Sequence, residues 1–298
     1  MTNSLLVPEQ IAEVTAKLVG ADLNLAALVH RDLEAEFGSG SGSTVKVRVP
    51  GAVPSRTRGI YDVSTPLASD EINEESISVT LSEHCYSNVA LSEGDLDLDL
   101  GNFASRVLLP QATAVVKRVE REVAAAMTST PETKLTYDPS NPATVFTAIR
   151  RQLRDNGVPA GVKLTAAVGS NVYADLMDGP TGSAGTTFDA DGRVRGFDVV
   201  ESTRLGADEI VAFVKEAFAL VVRAPQVPAG APYGASVSEG GFALRHLRAY
   251  DTSTAVDRSL VSSFVGVSAM PLAIDNENGT VTLKPHAGAV RVITTPTD

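Results

Sequence analysis

The amino-acid sequence predicts an α+β fold, and three patterns along the chain support that class. Between residues 77 and 81 apolar and polar residues alternate, as in a half-buried strand, and this strand is expected to continue toward residue 91. Between residues 108 and 126 apolar residues recur every three or four positions, which indicates a long amphipathic helix. Beyond residue 142 the pattern becomes α/β. The residues of the longest elements do not have the spacing of a catalytic motif. These elements therefore predict a protein that extends to partners and binds them.

The N-terminal segment, residues 8 to 37, predicts a helix in two pieces with a bend or cap at Gly20. Its second piece carries an apolar stripe at strict four-residue spacing, formed by Leu25, Val29, Leu33 and Phe37. Such a stripe either packs in the core of its own chain or docks on a partner as an arm. The run GSGSGS follows at residues 38 to 43, and its composition predicts a flexible hinge. It lacks the Gly-Lys-Ser/Thr sequence of a phosphate-binding loop.

Residues 44 to 92 predict an extended two-stranded loop. The apolar positions of its two strands are Val45, Val47 and Val49, then Ile77, Val79 and Leu81. An arm of roughly twenty residues would reach about 65 Å, whereas a compact globule of this length has a radius of gyration of about 19 Å. A bare hairpin is marginal in water, so the loop is expected to lie on a partner. The alternative is that it folds back into a local sheet.

The long helix is expected to bury one face. The positions that share this face are Leu108, Ala112, Val115, Val119, Val123 and Ala126. Pro110 cannot lie in the middle of a helix without a kink. We therefore expect a short helical turn over about 102–108 and a main helix that begins near Pro110. A linker rich in Pro, Ser and Thr follows at residues 128 to 142.

The α/β region and the C-terminal part consist of shorter predicted elements. The predicted helices cover 142–156, ending at Asn156–Gly157, and 171–177, with Ser170 as the N-cap. The segment KLTAAVG predicts a buried strand. Further strands are predicted at 197–201, 210–214, 218–223, 242–250 and 256–267, with a β-rich tail that includes 280–293. Prolines and glycine-rich patches between residues 225 and 241 are expected to break the chain.

Composition excludes several classes of function. The formal net charge is −11 and aromatic residues make up 5% of the chain, with no Trp. Such a chain is not expected to coat itself with nucleic acid through clustered cations, nor to stack bases. A hydrophobic content of 43% allows a sizeable core. The start of the chain lacks the pattern of a signal peptide, and no run of eighteen apolar residues occurs. We therefore expect no membrane span and synthesis in the cytoplasm.

No motif predicts catalysis, a cofactor or a metal. The single cysteine, Cys85, lies beside His84, but a metal site needs three or four ligands and no others are near in sequence. The run DLDLDLG resembles the start of a calcium loop, yet its sixth position is Leu100 and its twelfth is Arg106. The four histidines show no paired spacing. An enzyme whose catalytic residues lie far apart in sequence stays open as an alternative.

Several segments, in order, resemble the major capsid protein of tailed bacteriophages, whose shell fold is called the Johnson fold. The resemblance spans about residues 25 to 270 and has no short diagnostic motif, so it depends on the order of its parts. Those parts are LVHRDLEAEFGSGSGSTVKVRVPG, SISVTLSEHCYSNVALSEGDL, NFASRVLLPQATAVVKRVEREVAAAM, VKLTAAVGSNVYADLMDG, GFDVVEST, EIVAFVKEAFALVVRAP and GGFALRHLRAYDTSTAVDRSLVSSFVGV.

The resemblance implies a division of the chain into named parts. These are an N-terminal arm at 1–43, an extended loop at 44–92, a peripheral domain with a spine helix at 93–141 plus 243–270, an axial domain at 142–242 and a C-terminal tail at 271–298. The candidate assembly residues are the apolar sets named above in the extended loop, the arm and the spine helix, with Val115, Val119 and Val123 representing the helix.

The resemblance also implies a function. The expected protein is a structural subunit, not an enzyme, which assembles with itself into hexamers and pentamers of an icosahedral head around double-stranded DNA. It would enclose DNA without sequence-specific binding and reside in the virion after synthesis in the host bacterium. Separate scaffold, portal and decoration proteins are the expected partners. Two alternatives are a cargo compartment shell like the encapsulins and a soluble α/β enzyme.

Overall fold

A computed structural model describes residues 24–31, 42–49, 53–64, 66–67, 69–72, 74–94, 103–179, 191–231, 233–239, 242–276 and 280–294. The chain divides into two units, and each contains segments that are distant in sequence. Unit one comprises residues 1–43, 80–126 and 219–268. Unit two comprises residues 44–79, 127–218 and 269–298.

Unit one contains a β-sheet and a long helix. Its strands are β3 (Glu83–Ser92), β8 (Phe218–Arg223), β9 (Tyr233–Glu239), β10 (Phe242–Asp251) and β11 (Val256–Ala269). The hydrogen-bonded order is β3-β11-β10-β9, and β8 also pairs with β11. The β3–β11 and β11–β10 pairs are antiparallel, with Leu260 opposite both Asn88 and Leu247. Strand β11 is therefore the centre of this sheet.

The long helix of unit one forms where the periodicity predicts it. A π-helical turn, Ala104–Leu108, leads into α1 (Leu109–Thr128). Pro110 is the second residue of α1, so the residue without an N–H donor lies directly after the π-helical turn. The predicted face is buried, except that Ala126 is only half-buried. The prediction of a short lead-in followed by a main helix is confirmed.

Unit two is built on a second sheet, in the order β14-β7-β4-β6-β5. Its strands are β4 (Leu164–Val168), β5 (Arg193–Val194), β6 (Phe197–Glu201), β7 (Glu209–Phe213) and β14 (Ala289–Ile293). Strands β4 and β6 are parallel, and α3 (Ser170–Asp178) lies in the connection between them. Every residue of β4 and β7 is buried, which explains why both strands, apart from Glu209 at the start of β7, are continuously apolar or small rather than alternating.

Helix α2 (Ala143–Asp155) packs its apolar face into unit two, where Phe146 meets Phe197 with ring centroids 5.8 Å apart. Its C-terminus is a Schellman motif. Gly157 has φ +105°, its N–H donates to Arg154 O at 3.0 Å, and the Val158 N–H donates to Leu153 O at 3.1 Å. The predicted end of the helix at Asn156–Gly157 is confirmed.

Two smaller sheets complete the described chain. Strands β1 (Thr44–Val49) and β2 (Glu75–Thr80) pair with each other, and residues 50–74 connect them. Strands β12 (Leu272–Asp275) and β13 (Val281–Lys284) form an antiparallel pair. The predicted strands at 197–201, 210–214, 218–223, 242–250 and 256–267 are all present within one or two residues.

Four sequence expectations differ from the structure, and the first concerns the arm stripe. Residues 25–27 form a single 3-10 turn rather than an α-helix, and His30 bridges to Ala219. Backbone groups here bond to distant parts of unit one, which replaces the helical ladder. Leu25 and Val29 are buried. Leu33 and Phe37 lie outside the described residues, as does the DLDLDL run.

The other three differences have local causes. The strand expected over 77–91 is interrupted at residues 81–82, because its first part pairs with β1 and its second part with β11. Strand β9 forms in the stretch expected to break the chain. The N-cap of α3 is Gly169, not Ser170. A Cβ on Gly169 would lie 2.0 Å from Gly206 O, so the close backbone approach requires glycine there.

Candidate assembly surfaces

The loop between β1 and β2 exposes large apolar side chains, although apolar groups are normally buried or scattered singly. Six of them occur within twenty residues. They are Val53, Ile60, Tyr61, Val63, Leu67 and Ile72, with exposed fractions of 52, 93, 94, 93, 78 and 67%. A run of this density on one loop indicates a surface that another molecule covers.

The same loop has a defined internal geometry. The Arg56 guanidinium pairs with Asp70 at 2.6 Å, which joins the two sides of the loop across fourteen residues. The Asp62 N–H donates to Gly59 O at 3.1 Å, and the Asp62 carboxylate accepts the N–H and O–H of Ser64 at 2.9 and 2.8 Å. These bonds satisfy polar groups locally and leave the apolar side chains facing solvent.

The hairpin residues that were predicted to act in assembly fall into a buried set and a half-buried set. Val45, Val49 and Val79 are buried, with exposed fractions of 8, 9 and 0%. Val47, Ile77 and Leu81 are half-buried. The alternation predicted from sequence is therefore present. Buried valines support the hairpin itself, and the exposed loop beyond them offers the larger free surface.

The predicted spine-helix residues Val115, Val119 and Val123 are buried inside their own chain, with at most 2% exposure. They cannot touch a neighbouring molecule in this conformation. Any role in assembly would act through the position of α1 on its sheet, and that role stays a prediction.

A buried polar network joins α1 to the sheet of unit one. The Gln111 amide donates to Ser259 O at 2.8 Å and to Ser87 O at 3.1 Å, so it bonds to both β11 and β3. The Ser259 hydroxyl donates to Gln111 Oε1 at 2.8 Å and lies 3.1 Å from His246 Nε2. One amide thereby links a helix and two strands from positions far apart in sequence.

This network fixes the tautomer of His246. The single proton of the Ser259 hydroxyl goes to Gln111, so the hydroxyl can only accept from the imidazole. A neutral His246 therefore carries its proton on Nε2. The pKa of His246 is lowered to about 4, mainly by burial and to a smaller extent by the nearby Arg248, while Asp257 opposes the change. A histidine that donates to a serine is the reverse of nucleophile activation, in which histidine accepts the serine proton. The pair is structural.

A second buried group, Glu120 of α1, holds the N-terminal segment. Its carboxylate is 5% exposed and accepts three backbone N–H groups, from Asn24, Leu25 and Ala26, each at 3.0 Å. The Leu220 N–H then donates to His30 O at 2.9 Å. A buried charge requires such hydrogen bonds. Together these contacts explain why residues 24–31 do not form the expected helix.

Sequence reasoning missed both Gln111 and Glu120, although each left a signal. Both lie on the buried stripe of α1, next to Ala112 and Val119. A polar or charged residue on the apolar face of an amphipathic helix indicates a buried partner. Periodicity identified the face but could not identify that partner.

The residues considered for metal chemistry do not converge. Cys85 is buried, and burial, with a smaller contribution from Glu122, raises the pKa of its thiol, which makes it a poor nucleophile. His84 packs edge-on against Phe264 at 5.0 Å and lines an open cleft of about 490 Å³ in unit one. Throughout the part of the chain that the structure describes, no three His, Cys, Asp or Glu side chains group as metal ligands. No helix of the described residues is long and apolar enough to span a membrane.

Comparison with solved structures identifies the fold. A protein of Mycobacterium phage Che8 aligns over 92% of each chain with a TM-score of 0.62 and 18% identity. A capsid structure of the cyanophage P-SCSP1u aligns over 86% of this chain and 85% of its own, with a TM-score of 0.56 and 13% identity. A virus-like particle from Pyrococcus furiosus aligns over 95% and 97%, with a TM-score of 0.56 and 13% identity. No protein-family model and no curated protein matches the chain.

The chain therefore has the mixed helix-and-sheet fold of tailed-phage capsid proteins, and the predicted fold class and resemblance are confirmed. The alignments cover most of both chains, so the likeness concerns the whole architecture rather than one domain. The division into arm, extended loop, peripheral domain and axial domain stays a prediction.

Proposed function

We propose that this protein is the structural shell subunit of a phage head, forming hexamers and pentamers that enclose double-stranded DNA. The observation that carries the proposal is the alignment over 92% of the chain with a phage protein, together with the alignment to a capsid structure. In this proposal the subunit resides in the virion and is made in the host bacterium. It has no catalytic activity and uses scaffold, portal and decoration proteins as partners.

The exposed loop supports this function physically. A subunit that remained alone would place Ile60, Tyr61 and Val63 almost fully in water. Burying one such side chain contributes about 1.5–3 kcal/mol, and a shell repeats each contact at every neighbour. Weak contacts that repeat in this way are sufficient to close a symmetric shell. We infer that residues 53–72 contact an adjacent subunit.

The loop contact is tested by replacing Ile60 and Val63 with Asp. Each side chain is exposed and touches little in the chain, so folding should be unchanged while assembly fails. Met177→Asp is the matched control, because Met177 is an exposed apolar side chain outside the loop, at 62%. Normal particles from the loop variant, or loss of particles in both variants, would contradict the assignment.

Two further changes test the hinge and the spine helix. Bulky residues in the Gly38–Ser43 run, or Pro at Val115 or Val119, are expected to block assembly. The first change would restrict the predicted hinge, and the second would break the helix. Normal particles from either variant would overturn that part of the proposal.

The proposal as a whole is tested by sedimentation velocity and electron microscopy on native lysate and on the purified chain. Polyhedral particles of megadalton size are expected, with DNA inside those from the lysate. Only small oligomers in the native lysate would refute a shell function.

A cargo compartment like the encapsulins is the second candidate. The alignment with a virus-like particle from Pyrococcus furiosus, which covers 95% of this chain, supports a shell other than a phage head as a candidate. The contents of the particles discriminate between them. Nuclease-protected DNA favours the phage head, whereas a co-purifying protein without DNA favours the cargo shell.

A further inference from the structure

Strand β3 lies at the edge of the sheet of unit one, because the hydrogen-bonded order begins β3-β11. The direction of its backbone groups follows from Gln111. The amide nitrogen of this side chain is 3.1 Å from Ser87 O and 2.8 Å from Ser259 O, so both carbonyls point into the space between β3 and β11. Successive residues of a strand direct their backbone groups to opposite sides. The residues on either side of Ser87 therefore direct theirs away from β11.

These outer N–H and C=O groups are called the free edge, and they belong to His84, Tyr86, Asn88 and Ala90. Among the described residues, none of these groups has a backbone partner. Edge strands are normally protected by charged side chains, proline, a bulge or a short length. Strand β3 pairs with β11 without a break from residue 83 to residue 92, and residues 84–92 contain no Pro, Asp, Glu, Lys or Arg. Such an edge is a template for a strand of another chain.

The side chains beside the free edge can hold those of an added strand. Tyr86 is 65% exposed and Phe264 is 37% exposed. The His84 ring packs against both, with centroid distances of 5.6 and 5.0 Å. The cleft of about 490 Å³ lies at the start of β3, where His84, Phe264, Leu81 and Pro225 line it. Strand addition combines main-chain hydrogen bonds with pockets for alternate side chains, and this surface offers both.

We propose that the free edge of β3 receives an extended segment from the loop at residues 53–72 of a second copy of this chain. This inference rests on the proposed function, since it names the surface that the loop meets on an adjacent subunit. The free edge belongs to unit one and the loop to unit two, so the contact joins two different surfaces. Head-to-tail contacts of this kind close into rings, as hexamers and pentamers require.

Two properties of the loop make it the occupant. Residues 53–57 form no helix, strand or turn, and their backbone groups have no partner among the described residues, so they can join a ladder. The exposed apolar side chains of the loop, such as Ile60 and Tyr61, match the aromatic side chains beside the free edge. Strand β1 suits this role less, because its exposed Lys46 and Arg48 are charges of the kind that protect strands from pairing.

The first test measures amide hydrogen exchange at single residues, by mass spectrometry with fragmentation, in unassembled subunits and in particles. The amides of the even-numbered residues 86–90 should exchange rapidly in subunits and about tenfold or more slowly in particles. The amides of the odd-numbered residues 87–91 point to β11 and should be slow in both states, which makes them the internal control. Rapid exchange of the even-numbered amides in particles, or slow exchange already in subunits, would overturn the inference.

The second test compares Asn88→Pro with Asn88→Ala. Both changes remove the same side chain, but only proline removes the N–H at the free edge, and it leaves the bonds to β11 in place. Particles are expected from Asn88→Ala and not from Asn88→Pro. Slow exchange of the odd-numbered amides in the unassembled proline variant verifies that β3 has folded. Equal particle yields from the two variants would contradict a backbone contact at this edge.

The third test identifies the occupant. A photoreactive amino acid replaces the exposed Asn88 in isotopically light copies, which are mixed with heavy copies. Cross-links from light copies to residues 53–72 of heavy copies support the inference. Cross-links confined to one copy, to β9 or to a different protein overturn it. If native lysates yield no particles, the proposed function fails, and cross-linking in the small oligomers still decides the inference. Particles whose free edge exchanges rapidly would refute the inference alone.

Discussion

Acidification should destabilise unit one through His246, and the structure sets the size of the effect. The imidazole donates to Ser259 from a buried site and has a pKa of about 4, against an ordinary value of 6.5. Between these values the unfolded chain binds a proton that the folded chain does not. Stability is therefore fully present above about pH 6.5 and falls as the pH decreases toward 4. At about 1.36 kcal/mol per pKa unit, the loss is about 3 kcal/mol.

The two charged groups near the imidazole shift its pKa in opposite directions, and together they do not reverse the lowering of that pKa. Arg248 repels an imidazolium, and Asp257 attracts one but is already paired with Arg248. The Arg248 guanidinium also lies 4.9 Å from the centre of the Phe103 ring, which holds it in place. The main cause of the lowered pKa is burial, because burial disfavours the charged, protonated imidazole.

The assay compares the wild type with His246→Gln by urea unfolding from about pH 8 to about pH 4. Carboxylates also titrate in the lower part of this range, so the difference between the two proteins isolates the histidine. The wild type should lose about 3 kcal/mol more than the variant. An NMR titration of the imidazole provides a direct measurement. Parallel stability curves, or titration of His246 near pH 6.5, would refute the reasoning.

Three further changes should act on packing and on buried bonds. Glu120→Gln should lower the free energy of unfolding by about 3 kcal/mol, because hydrogen bonds to a charged acceptor are lost. The same change should accelerate amide exchange at residues 24–26. Its control, Glu122→Gln at a partly exposed ion pair, should lower the free energy of unfolding by less than about 1 kcal/mol. Val119→Ala should cost about 2–3 kcal/mol by leaving a cavity, measured by urea unfolding; unchanged stability would contradict its role in the core. Gly169→Ala should lower the free energy of unfolding by about 3 kcal/mol or more, because a Cβ at this position would lie 2.0 Å from a carbonyl oxygen. At Gly161 an added Cβ meets nothing within 4 Å, so Gly161→Ala should leave the stability unchanged. Equal Tm values for the two glycine variants would exclude that steric argument.

Elements with one-sided or complete burial were predictable from the sequence. Helix α1 repeats its apolar residues at helical spacing because one face lies on a sheet, and β4 is continuously apolar or small because both its faces are covered. The end of α2 was predictable because only glycine readily adopts the φ of +105° found at residue 157.

The candidate surfaces were less predictable. Alternation identified Val45 and Val79 as strand residues, but an apolar position in a strand can face the core or a partner with the same spacing. The most exposed apolar side chains, Ile60 and Tyr61, lie in a loop with no periodicity, so no pattern distinguished them. Their exposure became known only from the arrangement of the chain around them.

The sequence by itself determined the α+β class, most of the strands, the long helix and the order of parts that resembles a phage shell protein. The tertiary structure decided which strands pair, so that residues 75–80 join β1 while residues 83–92 join β11. It also decided that Glu120 binds residues 24–26 and that Gln111 meets Ser259, 148 residues away. The spacing of apolar residues along a helix or strand indicates whether one of its faces is buried. The partner of a buried polar group depends on contacts between distant segments, which form only when the whole chain has folded.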